Sequence, residues 1–173
     1  TCALPISACS PEQANTQSQP IVETQKKNTE SIFFKPSPLQ YMAPEFDKIS
    51  TNDYEPAFEA GIAEQKAEIL KIANNPEPAT FENTLVAMEL SGELLDRVSD
   101  AFFNLSGLIS DSEYQRIDAK MAPILSAHTD DIYLNQALFN RVQAIYDNAE
   151  NLSAEDKHLV DFYFKKFINA GAK

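Results

Sequence analysis

The sequence predicts an all-α protein whose helices pack as an antiparallel bundle. Glycine is scarce, with 4 residues, and tryptophan is absent, a composition unlike that of sheet proteins, which are rich in turns and β-branched residues. Apolar residues return every three or four positions over long stretches, which is the period of a helix with one buried face. Residues that favour helix N-termini, such as Ser, Thr and Asp, precede several of these stretches.

The first nine residues, TCALPISAC, resemble the end of a bacterial lipoprotein signal peptide. Ile6, Ser7, Ala8 and Cys9 have the order of a lipobox, in which an aliphatic residue and two small residues precede the cysteine that receives the lipid. The eight residues before Cys9 include neither a positive charge nor an uninterrupted apolar run. We therefore expect residues 1–9 to be a truncated signal peptide with Cys9 as the candidate lipidation site; an artefactual start is the other interpretation.

Residues 10–31 are predicted to be a disordered polar tether between this start and the folded body. Their apolar positions are Ala14, Ile21 and Val22, too few to offset the entropy that folding costs. A lipobox followed by a polar tether indicates a periplasm-facing lipoprotein of the bacterial cell envelope. A secreted protein without an anchor and a cytoplasmic protein are the alternatives.

Residues 32–173 are predicted to form the helical body. Its lead-in, residues 32–49, has three prolines among large apolar side chains and should lie extended across a helical surface. The first helix should run from Asp53, its N-cap, to about Ala73, with Pro56 in the first turn. Its buried face carries Tyr54, Phe58, Ile62, Ile69 and Ile72.

A second helix is predicted to begin at Thr80, its N-cap; if it is continuous to Leu108, its length is about 42 Å at ~1.5 Å per residue. Gly92 lies on its apolar face, where a glycine costs about 1 kcal/mol unless another backbone approaches closely. We therefore expect a close helix crossing at Gly92. The apolar positions of this helix are Phe81, Leu85, Met88, Leu95, Phe102, Leu105 and Ile109.

Three further helices complete the predicted bundle. The third follows a capping box at Ser110–Glu113, and Pro123 should kink it. The fourth spans about Gln136 to Asp147. The fifth begins at Ser153 and has a wide aromatic face, more than a terminal helix needs. We expect that face to dock against a missing remainder of the protein; it comprises Leu159, Val160, Tyr163, Phe164, Phe167 and Ile168.

The charge pattern argues against two classes of partner. The chain has 26 acidic and 14 basic residues, a net charge of −12, and its cations are scattered. Binding of nucleic acid needs clustered cations, and so does adhesion to an anionic membrane surface. Both cysteines, Cys2 and Cys9, lie near the start, so the body can hold neither a disulfide nor a thiolate metal site.

The residues alone indicate no catalytic constellation and no metal site. His128 lies on the apolar face of the third helix and is expected to be a hydrogen-bonded core residue rather than a ligand. Acidic pairs such as Glu93 with Asp96 fall on polar faces and should be solvated, whereas an acid catalyst needs an apolar pocket that raises its pKa. Arg97 should pair with Glu93 one helical turn earlier.

Several segments occur in an order that resembles one enzyme family. They are APEFDKI at 43–49, the run from DYEPAFEAGI to SGELLDRV at 53–98, FFNL at 102–105, KMAPILSAHTDDIYLN at 120–135 and LFNRVQAIYD at 138–147. Together they resemble the N-terminal part of the bacterial peptidyl-dipeptidases (dipeptidyl carboxypeptidases), a branch of the thimet oligopeptidase family of zinc metallopeptidases. The resemblance covers about residues 36–172.

This resemblance implies a two-lobed helical enzyme with a deep channel, in which one zinc ion on an HExxH helix serves to release dipeptides from the free C-termini of short peptides. HExxH does not occur in these 173 residues, so no catalytic, metal-binding or substrate-binding residue is carried over. The implied role of the chain is an N-terminal fragment that forms part of the channel wall, is inactive alone and pairs with a missing C-terminal catalytic domain. The alternative is a non-enzymatic helical lipoprotein that binds a partner through its fifth helix.

Overall fold

The structure, a computed structural model, describes residues 31–109 and 111–172. Within these residues the chain forms helices and turns and no β-strand, which confirms the all-α bundle. The helices are α1 (Thr51–Ala73), α2 (Ala87–Glu89), α3 (Glu93–Ser106), α4 (Ser112–Tyr133), α5 (Gln136–Asp147) and α6 (Ala154–Ala170). A π-helical segment, Phe81–Val86, directly precedes α2. No helix in the described ranges combines the length and the apolar character that crossing a membrane requires.

The start of α1 differs from the prediction. Ser50, not Asp53, is the N-cap, and its hydroxyl accepts a hydrogen bond from the backbone N–H of Asn52. The carboxylate of Asp53 accepts a hydrogen bond from the backbone N–H of Ser50 at 2.8 Å. Asp53 is therefore the reciprocal member of a capping box, a role that places it inside the first turn.

The second helix is not continuous to Leu108, so the length of about 42 Å does not apply. Thr80 does cap the π-helical segment, because its hydroxyl accepts a hydrogen bond from the backbone N–H of Asn83 at 3.1 Å. The helical path nevertheless stops after Glu89 and resumes at Glu93. Gly92 has a φ of 84°, in the left-handed region that glycine adopts without the steric cost of a side chain. Gly92 thus redirects the chain between α2 and α3.

The close helix crossing occurs at Gly61 of α1 instead of at Gly92. A Cβ atom at Gly61 would lie 2.9 Å from both Cα and N of Leu95 in α3, so glycine is what allows the two backbones to approach. One turn earlier in α1, Phe58 packs edge-on against Phe102 with ring centroids 5.5 Å apart. Since the contacts advance along α1 while they move back along α3, the two helices are antiparallel.

Buried apolar side chains form two clusters that share α1. The first core joins the N-terminal half of α1 to the lead-in, α3 and the start of α4; the second joins its C-terminal end to the π-helical segment, α5 and α6. The first core is built chiefly from Phe33, Tyr54, Phe58, Leu95, Val98, Phe102, Tyr114, Ile117 and Met121. The second is built chiefly from Ile69, Ile72, Leu85, Met88, Leu138, Phe139, Val142, Ile145, Val160, Tyr163 and Phe167. α1 is therefore the common wall of both cores.

The later helix boundaries agree with the sequence in most respects. Asp111 caps α4, because its carboxylate accepts a hydrogen bond from the backbone N–H of Glu113 at 2.7 Å; Ser110, the expected cap, lies outside the described residues. α4 continues through Pro123. α5 has the predicted bounds, and Ser153 caps α6 as predicted.

The aromatic face of α6 is covered by the chain itself, so the prediction that it waits for a further domain is wrong. Phe164 stacks on Tyr146 of α5 with ring centroids 4.1 Å apart. Of the predicted docking residues, Ile168 is exposed. The others are buried in the second core or packed against it: Leu159, Val160, Tyr163, Phe164 and Phe167.

Candidate functional site

Two predicted features of the N-terminal region are outside the described residues. Cys9, the candidate lipidation site, belongs to residues 1–30, and so do Cys2 and nearly all of the predicted tether. The signal peptide and the lipid anchor therefore stay predictions.

The ion pair predicted on α3 is present. The guanidinium of Arg97 donates to the carboxylate of Glu93 at 2.6 Å, and it also donates to the backbone carbonyl of Phe33 at 2.6 Å. Arg97 therefore fastens the lead-in to α3 as well. Glu93 and Asp96 are both exposed, as expected of a solvated pair, but partial burial and the neighbouring carboxylate of Asp100 raise the pKa of Asp96.

His128 is a buried, hydrogen-bonded residue, as predicted. Its Nε2 lies 2.7 Å from Oε1 of Gln65, and Nε2 of Gln65 donates to the backbone carbonyl of Ser91 at 3.3 Å. Because this second bond orients the amide of Gln65, its oxygen must accept, which assigns a proton to Nε2 of His128. Burial lowers the pKa of His128, against the opposing influence of the Asp131 carboxylate, so the neutral ring is favoured.

The contacts from His128 through Gln65 to Ser91 join α4, α1 and the turn before α3. Beside them, the backbone N–H of Gly92 donates to the carboxylate of Glu68 at 2.8 Å. Gln65 and Glu68 lie on α1 after the residues of the first core and before those of the second. This polar network therefore holds the 90–92 turn at the junction of the two cores.

Arg141 of α5 is a buried cation that the sequence reasoning missed. Its guanidinium donates to the backbone carbonyls of Asn75 and Glu77 at 2.9 and 3.0 Å. It also donates to the side-chain oxygens of Thr84 and Asn83 at 3.2 and 2.7 Å. All four acceptors are uncharged, so Arg141 acts as a clamp that fixes the loop after α1 to the π-helical segment. An arginine beside apolar positions of an amphipathic helix looks like a solvated residue in sequence, which leaves no signal for this role.

Two open grooves lie near these polar contacts. One, of about 320 Å³, is lined by residues that include Glu68, Asn83 and Leu90. The other, of about 360 Å³, is lined by residues that include His128, and Lys66 pairs with Asp131 at its edge at 2.8 Å. Most of the polar groups that line the two grooves are engaged in contacts that hold helices and turns.

The described residues do not fit a metal site. No three His, Cys, Asp or Glu side chains within residues 31–109 and 111–172 come together in a way that could hold an ion. The zinc that the family resemblance implies therefore has no ligand set among them, and we derive no catalytic step through a metal.

Comparison with known proteins connects the chain to one group of peptidases. No family model matches the chain. It is 42% identical over 147 residues to the dipeptidyl carboxypeptidase of Escherichia coli strain K12, a match that covers 84% of this chain and 22% of that protein. It is also 42% identical over 139 residues to the dipeptidyl carboxypeptidase of Salmonella typhimurium strain LT2, which covers 79% of this chain and 20% of that protein.

Identity at this level, sustained over most of a chain, confirms the resemblance that the sequence motifs indicated. The chain spans about a fifth of the length of the curated relatives that it matches. This helical chain is therefore a relative of the bacterial dipeptidyl carboxypeptidases.

Proposed function

We propose that the chain is the N-terminal part of a zinc metallopeptidase that releases dipeptides from the free C-termini of short peptides. The observation that carries this proposal is its 42% identity to a dipeptidyl carboxypeptidase across 84% of the chain. That relative is named for the activity, and the match accounts for 22% of its length. The hydrolytic groups and the zinc would then belong to the remainder of a longer protein.

Within that enzyme, the described helices serve as a wall and supply no catalytic groups. His128 and Arg141 are buried, and both are occupied in holding helices and turns together. A bundle fixed in this way suits the side of a channel that admits short or unfolded peptides and excludes folded proteins. We expect the 173-residue chain alone to bind no zinc and to hydrolyse no peptide.

A non-enzymatic lipoprotein that binds a partner is the alternative. This alternative depends on the aromatic face of α6, which would have to be exposed for the partner to bind it. The second core occupies most of that face, so no observation favours the binding module over the peptidase.

We also propose that Cys9 anchors the protein in the bacterial envelope, facing the periplasm. The support is the order Ile6, Ser7, Ala8 and Cys9, followed by the polar residues 10–31. In a bacterial host that is fed a labelled lipid precursor, the wild-type protein and the control Cys2→Ala should take up label, and Cys9→Ala should not. Label that persists in Cys9→Ala would reject this anchor.

The complete reading frame around these residues gives the first test of the peptidase. We expect it to encode HExxH after residue 173, and we expect its purified product to contain about one zinc ion per molecule by elemental mass spectrometry. Substitution of the two motif histidines should abolish zinc binding, and the 173-residue chain should serve as the zinc-free control. A frame that continues for hundreds of residues without HExxH would reject the proposal.

A further inference from the structure

A closed loop in the lead-in, residues 37–43, presents apolar side chains to solvent. The hydroxyl of Ser37 closes it, since it donates to the backbone carbonyl of Ala43 at 2.6 Å and accepts from the backbone N–H of Leu39 at 3.2 Å. A further hydrogen bond runs from the backbone N–H of Met42 to the carbonyl of Leu39 at 3.0 Å. The closed loop is therefore held in one shape by its own hydrogen bonds.

The tip of the closed loop is strained. Tyr41 and Met42 have φ values of 58° and 54°, and they are the non-glycine residues with positive φ in the described chain. L-residues avoid this region because Cβ crowds the following carbonyl oxygen. Tyr41 is 90% exposed and Met42 is 65% exposed, so neither side chain is buried in the core. Conformations of this kind are typical of binding elements.

The closed loop belongs to the part of the chain that is shared with a much longer protein. The match to the Escherichia coli enzyme covers 84% of this chain, so it includes residues 37–43 wherever it begins. The same match covers 22% of that enzyme. A protein of that length has ample further chain with which to cover an apolar loop.

We propose that the closed loop docks into an apolar recess on the remainder of the same longer polypeptide, with Leu39, Tyr41 and Met42 as its anchors. This inference rests on the proposed function, because it requires the longer protein. A loop that is already ordered loses little conformational entropy on docking. Tyrosine and methionine are enriched in the buried centres of protein interfaces, whereas most of the aromatic face of α6 is already covered by the second core.

Methionine oxidation tests the docking directly. The chain has 3 methionines, and Met88 and Met121 are buried, so they serve as internal standards for Met42. When the longer protein is treated with dilute hydrogen peroxide, docking should slow sulfoxide formation at Met42 to a rate close to those of the two standards. A Met42 that oxidises roughly tenfold faster than Met88 and Met121 would overturn the proposal.

Two controls identify what covers the closed loop. Met42 should stay protected in a longer protein from which residues 1–30 have been removed. If Met42 loses its protection there, residues 1–30 cover the closed loop, and the proposal is overturned. Protection that rises with protein concentration, together with a dimer in sedimentation, would show that a second copy of the chain covers the closed loop, and it would also overturn the proposal.

Substitutions give an independent measurement. The double variant Tyr41→Ser and Met42→Ser should lower the melting temperature of the longer protein, whereas Gln40→Ser, at an exposed polar position of the same loop, should not. Equal effects of the two would overturn the docking. Dipeptide release by the same preparation reports separately on the proposed function. A protected Met42 in an inactive protein would refute the peptidase but not the docking. An exposed Met42 in an active protein would refute the docking but not the peptidase.

Discussion

Gly61→Ala should destabilise the chain, although alanine is the better helix former. In an open helix, replacement of glycine by alanine gains about 1 kcal/mol. At Gly61 the added Cβ would lie 2.9 Å from both Cα and N of Leu95, and these backbone atoms move only if α1 and α3 separate. Overpacking costs about 3 kcal/mol at the upper end of its usual range. We therefore expect a net loss of roughly 2 kcal/mol in the free energy of unfolding.

Urea unfolding followed by far-UV circular dichroism measures this loss. In a thermal melt it should appear as a fall in Tm of roughly 4–8 °C for a chain of this size. Gly107→Ala is the matched control, because its Cβ would lie an ordinary 3.6 Å from the carbonyl oxygen of Phe103, and it should be neutral or slightly stabilising. A Gly61→Ala chain that is as stable as the wild type would refute the close crossing of α1 and α3.

Three further predictions concern the polar contacts. Gly92→Ala should cost more than about 1–2 kcal/mol in urea unfolding, because its positive φ strains the backbone and because the added Cβ would lie 2.2 Å from Nε2 of Gln65, which would have to move; an effect no larger than that of Gly107→Ala would contradict the left-handed turn. Arg141→Met should cost about 2 kcal/mol because the partly buried carbonyls of Asn75 and Glu77 lose their donor, and Arg141→Lys should recover little, since one ammonium cannot replace the guanidinium fork; a neutral Arg141→Met would disprove the clamp. Burial lowers the folded-state pKa of His128 below 6.5, so the unfolded chain takes up the proton first as the pH falls. The free energy of unfolding should therefore decrease below about pH 6.5, and His128→Gln should lessen that decrease; an unchanged slope would contradict the burial of a neutral ring.

The features that follow local rules were predictable from the sequence. The bounds of α5 and the caps at Thr80 and Ser153 depend on residues within one or two turns, and the structure has them as predicted. The two glycines could not be distinguished in this way. Gly61 and Gly92 both follow apolar helical patterns, and only the folded structure shows that Gly61 permits a backbone crossing at Leu95 while Gly92 takes a positive φ and turns the chain.

Of the two buried polar residues, His128 and Arg141, the sequence predicted the role of one and not of the other. His128 was predictable as a core residue because it falls on an apolar face. Arg141 was not, because its acceptors lie between 57 and 66 positions earlier in the chain. The face of α6 was misassigned for a related reason, since a wide apolar face looks the same in sequence whether its partner is Tyr146 of the same chain or a separate domain.

Dipeptide release by the complete protein tests the central claim most directly. An N-terminally blocked tetrapeptide with a free C-terminus would be incubated with the purified product of the complete reading frame, and the products would be identified by mass spectrometry. We expect the C-terminal dipeptide to appear, to be absent when the same peptide carries a C-terminal amide, and to disappear with a chelator and return with added zinc. No dipeptide from the free acid, or equal cleavage of the amide, would contradict the assignment of this chain to a peptidyl-dipeptidase.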